Sequence, residues 1–251
     1  MFENNDYELW QGDCLELMKD IPNKSVNMIF TDLPYGTTHC KWDSIIPLDE
    51  LWTHYKRIIK DNGAILLFAQ TPFDKVLGSS NLQMLKYEWI WEKTQATGHL
   101  NAKKMPMKAH ENILVFYKKL PTYNPQMTEG HTPIHSYTKY ISTQNNTEIY
   151  GKMNREISGG GETTRYPRSV LTFASDKQTC YLHPTQKPLA LCEYMVKTYT
   201  NEGDLVLDSC MGSGTCGVAS KKLGRKFIGI ELDPQYFEIA KGRIKNIDNE
   251  A

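Results

Sequence analysis

The stretch Asp204-Leu-Val-Leu-Asp208-Ser-Cys-Met-Gly212-Ser-Gly214-Thr215 places an acid at the end of an apolar run, then a glycine turn, then a helix-compatible segment. Glycines let the backbone turn sharply and approach a ligand, and the first N–H groups of the following helix are free to receive it. Glu231 closes the next apolar run, where a carboxylate can accept from both hydroxyls of a ribose. Strand, glycine turn, helix, strand and terminal acid in that order predict a pocket for a nucleoside-containing cofactor. This context does not separate a dinucleotide from S-adenosylmethionine. Asp208 does tilt the choice, because an acid facing the loop would repel a pyrophosphate and attract the ammonium of a methionine moiety. Asp208, Met211, Gly212, Ser213, Gly214, Thr215, Glu231 and Leu232 are the candidate contacts.

Three more motifs lie outside this loop. Val26–Thr31 runs into Asp32-Leu33-Pro34-Tyr35-Gly36, Gln11-Gly12-Asp13-Cys14 follows a short strand candidate, and His183-Pro184-Thr185-Gln186-Lys187-Pro188 precedes a helix candidate. Taken singly, the first is a strand-end turn and the last a polar loop, while Asp13 is a natural helix N-cap. Together they matter more. Asp32–Tyr35 resembles the Asp-Pro-Pro-Tyr signature of DNA amino-methyltransferases, and the motif order over nearly the whole chain resembles their permuted β group.

That resemblance implies a set of roles. An exocyclic amino group on a base is a poor nucleophile, since its lone pair is delocalised into the ring. Asp32 and the carbonyl of Leu33 would accept its hydrogens, Pro34 would fix that carbonyl, and Tyr35 would stack on the extruded base. Asp13 and Cys14 would lie near the cofactor adenine, with Thr185, Gln186 and Lys187 near its methionine end. Two departures stand out. Leu33 replaces the usual second Pro, where only the carbonyl is needed. Ser209 and Cys210 replace the Pro and Phe of Asp-Pro-Phe-x-Gly-Ser-Gly, which removes an apolar contact and predicts altered cofactor binding.

The elements that must position these residues are legible as an alternation. Strand candidates are Tyr7–Trp10, Val26–Thr31, Ile65–Ala69, Tyr87–Trp91, Asn112–Tyr117, Asp204–Asp208 and Phe227–Glu231. Helix candidates are Leu48–Lys60, Leu189–Tyr199, Thr215–Leu223 and a segment opening at Asp233-Pro234. Such alternation predicts an α/β protein with a mostly parallel sheet covered on both faces. The resemblance implies in addition a Rossmann-like methyltransferase fold, doubly wound and circularly permuted, with an antiparallel edge hairpin. Residues 1–119 form the catalytic half and 183–251 the cofactor half. Between them, 120–182 is polar and rich in Tyr, carries Gly159-Gly160-Gly161, and reads as an inserted target-recognition region.

Composition bounds the remaining classes. With 251 residues, 40% hydrophobic, the chain is long enough for a full core and too apolar to be disordered. The longest apolar runs are strand length, and the N-terminus has no signal-peptide pattern. Six Cys without C-x-x-C spacing argue against zinc and against a disulfide framework, so a reduced, cytoplasmic protein with no metal is expected. Basic and acidic residues balance at 29 each, which excludes a histone-like blanket binder. Charge is nevertheless local. Lys103, Lys104 and Lys108, with Arg155, Arg165 and Arg168 of the insert, are the candidate phosphate and base contacts on double-stranded DNA.

The function expected is N6-methylation of adenine in duplex DNA by base flipping, because the family's adenine-directed members tend to carry Asp at position 32. N4-methylation of cytosine, a catalytically silent nucleic-acid-binding relative, and a less favoured dinucleotide enzyme are the alternatives. A homodimer and a restriction-endonuclease partner stay open, and no membrane partner is expected.

Overall fold

The computed structural model describes residues 6–36, 44–134, 137–141, 156–176 and 186–247. Its main unit holds eight strands: β1 (Tyr7–Gln11), β2 (Val26–Thr31), β3 (Ile59–Ala69), β4 (Leu85–Thr97), β5 (Lys108–Phe116), β8 (Val170–Phe173), β9 (Leu205–Asp208) and β10 (Lys226–Glu231). They form one sheet in the order β1-β10-β9-β2-β3-β5-β4-β8. Strands β1, β10, β9, β2 and β3 run parallel, and β5 is antiparallel to both β3 and β4. The expected antiparallel hairpin is thus β4–β5, and β8 adds a parallel strand outside it.

Residue alternation explains why this sheet is covered on both faces. In β2, Val26 and Ile29 enter one core and Met28 and Phe30 the other. In β3, Ile65, Leu67 and Ala69 point one way and Ala64, Leu66 and Phe68 the other. Strands that are apolar on both sides need helices on both sides. The first face is covered by α1 (Cys14–Leu17), α2 (Leu48–Ile58) and α3 (Phe73–Ser80), through Leu51, Trp52, Tyr55, Ile58 and Leu77. The second is covered by α4 (Leu189–Tyr199), α5 (Thr215–Lys222) and α6 (Pro234–Asn246), through Leu191, Met195, Val218, Ala240 and Ile244. No helix among the described residues is long and apolar enough to cross a membrane.

Local rules account for the element ends that matter. Asp233 caps α6 by accepting from the N–H groups of Gln235 and Tyr236, with Pro234 following it. Asp13 caps the single turn of α1 through Leu15 N–H at 2.7 Å. Strand β3 begins six residues before the apolar run, because Ile59 already pairs with Val26. Its register then shifts, and Gly63 allows the crowding: a Cβ there would lie 2.7 Å from the Asn27 carbonyl.

A second compact unit, Pro125–Pro167, falls within the stretch that the sequence marks as an insertion at 120–182. It contains the antiparallel pair β6 (Tyr137–Ile141) and β7 (Glu156–Gly159) and a bridge between Thr128 and Arg165. Residues from Arg168 onward belong to the main unit, where β8 pairs with β4.

Candidate active site

The chain order reverses between β9 and β2, and the carboxyl ends of these neighbours carry Asp208 and Asp32. In open α/β sheets ligands bind at such a switch point. A cavity of about 710 Å³ opens there and is continuous from the glycine turn to Asp32. Asp32, Leu33, Pro34 and Tyr35 all line it. So do Asp13, Cys14, Gln186, Lys187, Asp208, Met211, Gly212, Ser213, Thr215, Glu231 and Leu232. Thr185, like His183 and Pro184, lies outside the described residues.

On the cofactor side, Glu231 is the central fastener. Its Oε2 accepts from Gly212 N–H at 2.8 Å and its Oε1 from Asp233 N–H at 2.8 Å. Its own carbonyl accepts from Gly12 N–H, which ties β1 to the same corner. A carboxylate has about four acceptor sites, so Glu231 keeps capacity for a ligand. Burial raises the pKa of Glu231, and the backbone N–H groups of Asp233, Gly212 and Leu232 oppose that rise. Leu232, next along the chain, is half exposed at the rim and offers an apolar contact for a flat ring.

The glycine turn is set by backbone geometry and packing together. Gly212 and Gly214 both adopt left-handed φ, +51° and +77°. A Cβ on Gly214 would meet Ala240 of α6 at 2.9 Å, so this glycine faces the helix behind the loop. Arg243 of α6 braces the same loop, donating to the Ser213 carbonyl at 2.6 Å and to Thr215 Oγ1 at 3.2 Å. Gly212, Gly214 and Gly217 have G-x-G-x-x-G spacing, so glycine spacing alone favours no cofactor. Gly217 serves packing, since a Cβ there would strike Ile244 and Phe227. One acid decides instead. Asp208, buried beside the turn, suits a cationic group and opposes a diphosphate, whereas Glu231 fits the ribose of either cofactor.

Ser209 and Cys210, the two departures from the usual loop, are accommodated by hydrogen bonds. Ser209 Oγ lies 2.6 Å from the buried Tyr55 hydroxyl, and Ser209 N–H donates to Thr31 Oγ1 at 3.0 Å. Thr31 in turn donates to Asp208 Oδ1 at 3.1 Å, which also accepts from Cys210 N–H. A proline could not supply the Ser209 N–H. Burial raises the Asp208 pKa to about 7, against the pull of these two donors.

The catalytic side holds a buried chain of alternating charge. Lys187 Nζ is 2.7 Å from Asp32 Oδ2 and 3.0 Å from Glu111 Oε2, and Lys93 Nζ is 2.6 Å from Glu111 Oε1. Tyr35 donates its hydroxyl to Asp32 Oδ1 at 2.6 Å while its ring stacks on Phe73 at 5.0 Å. Both oxygens of Asp32 are therefore oriented, and each retains acceptor capacity. One face of Tyr35 is also already covered. Burial raises the pKa of Asp32, and Lys187 counters it. Burial acts likewise on Glu111, but Lys187 and Lys93 together hold it at about 2. For Lys187, burial works against the charge, yet Asp32 and Glu111 outweigh it and raise its pKa.

Lys187, placed by the sequence at the cofactor's methionine end, thus binds Asp32 directly. Glu111, Lys93, Tyr55 and Arg243 were not legible as site residues. For Glu111 a signal existed: a lone acid opens the buried run Asn112–Phe116. A Glu111→Gln change would leave Lys187 paired with Asp32 alone and take from Lys93 the charge of its carboxylate partner. Breaking such a pair costs about 3 kcal/mol, so we expect the thermal midpoint to fall by roughly 6–12 °C in a denaturation scan. A shift below about 1 °C would show that the ionised Glu111 is dispensable.

Of the proposed DNA contacts, Lys108 lines the cavity and donates to Gln70 at 3.0 Å. Lys103 and Lys104 are exposed between β4 and β5. Arg168 is exposed as well, and Arg155 lies outside the described residues. Arg165 differs from the expectation of a base-reading fork. Its guanidinium donates to the carbonyls of Glu162, Thr164 and Thr132, so three of its five donors are committed to the insert's own backbone.

Comparison with known proteins agrees with this geometry. The N6/N4 methyltransferase family model, described as DNA methylase, matches residues 26–242. The type II methyltransferase M.HpaI of Haemophilus parainfluenzae is 28% identical over 95% of this chain and 74% of its own. M1.MboII of Moraxella bovis, also a type II methyltransferase, is 29% identical over 91% of this chain and 93% of its own. The crystal structure of the M1.HpyAVI–SAM complex superimposes with a TM-score of 0.66 at 25% identity, covering 95% of this chain and 98% of that one. The cytosine-N4-specific PvuII DNA methyltransferase shares the fold, with a TM-score of 0.67 at 15% identity over 98% and 93%.

Proposed function

The chain belongs to the N6/N4 DNA methylase family, whose members use S-adenosylmethionine, and from that premise we propose that it methylates the 6-amino group of adenine in duplex DNA. The observation that carries the site assignment is the single cavity joining Asp32–Tyr35 to the Asp208–Glu231 corner. The Asp at position 32, which the resemblance ties to adenine, supports the choice of base. The sequence offers a second argument: the small residues Gly36, Thr37 and Thr38 after Tyr35 leave room for a purine. Thr37 and Thr38 lie outside the described residues. Nuclease digestion and mass spectrometry of methylated DNA test the assignment. N6-methyladenine is the expected product, and N4-methylcytosine as the sole product would overturn it.

S-adenosylmethionine supplies an electrophilic methyl on a sulfonium. The residues present fit it: two buried acids, an apolar rim at Leu232 and a left-handed glycine turn. On this reading Glu231 takes the ribose hydroxyls and Asp208 the ammonium. Asp32 and the Leu33 carbonyl accept the amino hydrogens of the base, which favours tetrahedral nitrogen and frees its lone pair. Lys187 and Tyr35 hold the Asp32 carboxylate in place before the base arrives, so orientation is settled in advance. Asp32 is well placed to take the proton that nitrogen must lose, since burial already raises its pKa. The insert and the lysines between β4 and β5 would meet the duplex.

The high pKa of Asp208 gives this reading a pH signature. An ammonium is bound best by the ionised carboxylate, whose folded pKa is about 7. Cofactor affinity should then fall by roughly tenfold or more between pH 7 and pH 5, by proton linkage. The sign reverses for the protein without cofactor. A raised folded pKa gives stability that is full below 3.8 and lost as pH rises through about 7. Calorimetric titration across this range should show the slope, and Asp208→Asn should flatten it. An unchanged slope in Asp208→Asn would remove the ammonium from Asp208.

A further inference from the structure

Leu100 is fully exposed (100%), the most exposed of the large apolar side chains among the described residues. It sits in the connection between β4 and β5, with Met105 half exposed nearby. The segment Gly98–Lys108 contains Lys103, Lys104 and Lys108 and no acid. It is also a built structure. Gly98 turns the chain at φ +95°, and Asn101 N–H returns to the Gly98 carbonyl at 2.9 Å. Lys104 and Met105 N–H both donate to the Asn101 carbonyl, at 2.8 and 3.0 Å. Gly98, Asn101 and Lys108 line the cavity that contains Asp32. An aliphatic side chain is therefore held in water on a lysine-bearing segment that borders the site.

We propose that Leu100 is a wedge that enters the base stack of duplex DNA while the target base turns into the cavity. The proposal rests on the methyltransferase reading of the site. Extruding a base costs unpairing and unstacking, and an apolar side chain placed in the vacated step restores contact for the neighbouring bases. Lys103 and Lys104 would meet the flanking phosphates and set the wedge at the step beside the cavity. Their charge is what selects DNA over a protein partner, since three lysines without an acid complement a polyanion.

The test uses the full-length protein and duplex oligonucleotides bearing its own methylation site, identified from modified DNA of expressing cells. 2-Aminopurine at the target position reports extrusion by its fluorescence. Leu100→Ala should lower kcat/KM on the paired duplex by about tenfold or more and remove most of the fluorescence rise. Leu100→Met should keep both. With the target base mispaired, where extrusion is easier, Leu100→Ala should return to within about threefold of the parent. An equal defect on paired and mispaired duplexes, or no defect on either, overturns the wedge while leaving the methyltransferase site intact. A Leu100→Ala effect confined to sedimentation of the free protein would overturn it too, assigning the side chain to self-association. A parent protein that methylates neither duplex would overturn the site itself. Thermal midpoint and cofactor affinity should match the parent in both variants, which separates a wedge from a folding defect.

Discussion

Asp32→Ala protein is expected to bind S-adenosylmethionine within about threefold of the parent and to methylate DNA roughly 10³-fold more slowly. The first half follows from placement. Asp32 stands at the end of β2, and the cofactor corner is built by Gly212, Asp208 and Glu231 from β9, β10 and the loop between. The second half follows from what the substitution removes, an oriented acceptor that the proposed mechanism uses on the amino group. Folding should survive, because Lys187 keeps Glu111 at 3.0 Å and is not stranded. Asp32→Asn sharpens the test. It preserves shape and one acceptor but turns an amide donor towards Lys187 or the base, so a loss nearly as large is expected. Methyl transfer assays on duplex DNA, paired with calorimetry for the cofactor, read both quantities. Full turnover in Asp32→Ala would remove this residue from the mechanism.

How far such a site can be read from sequence depends on the range of the contacts that make it. The glycine turn and the tetrapeptide are local: acid, glycine and proline carry their conformational meaning within a few residues, and the structure places both at strand ends in one cavity. Helix α4 was legible to its ends, Leu189–Tyr199, since Pro188 precedes it and its buried face is regular. By contrast α3 is short and ends in Gly78-Ser79-Ser80, a composition that resembles a loop. Strand β8 is only four residues within a polar segment, and it is a strand because β4 offers a free edge.

The largest gap concerns charge. Asp32, Glu111 and Lys187 are far apart in the chain and come from the end of β2, from β5 and from the segment before α4. Nothing in local pattern pairs them. A buried lysine between two carboxylates is visible only once the sheet order brings those segments together. Tyr55 illustrates the same limit. On the apolar face of α2 it is indistinguishable from core, yet its hydroxyl meets Ser209, the residue that replaces a proline in the loop.

Glu231→Ala should produce the opposite kinetic signature to Asp32→Ala: cofactor affinity down by about 10²-fold or more, with turnover at saturating cofactor largely retained. Two losses add. The ribose would lose both carboxylate acceptors, each charge-assisted bond contributing about 1.5–3 kcal/mol. The turn itself would also loosen, because Gly212 N–H and Asp233 N–H lose the partners that hold the loop against the end of β10. Gly212→Val approaches the same corner from the backbone. A β-branched residue at φ +51° is strained by roughly 1–3 kcal/mol, so the loop should leave the geometry that presents its N–H groups. The two variants act through different atoms on one pocket, and both should raise the KM for S-adenosylmethionine while sparing DNA affinity. Near-normal cofactor affinity in both, measured by calorimetry on folded protein, would place the cofactor elsewhere in the cavity. Lost affinity in Gly212→Val alone would keep the loop and release Glu231 from the ribose.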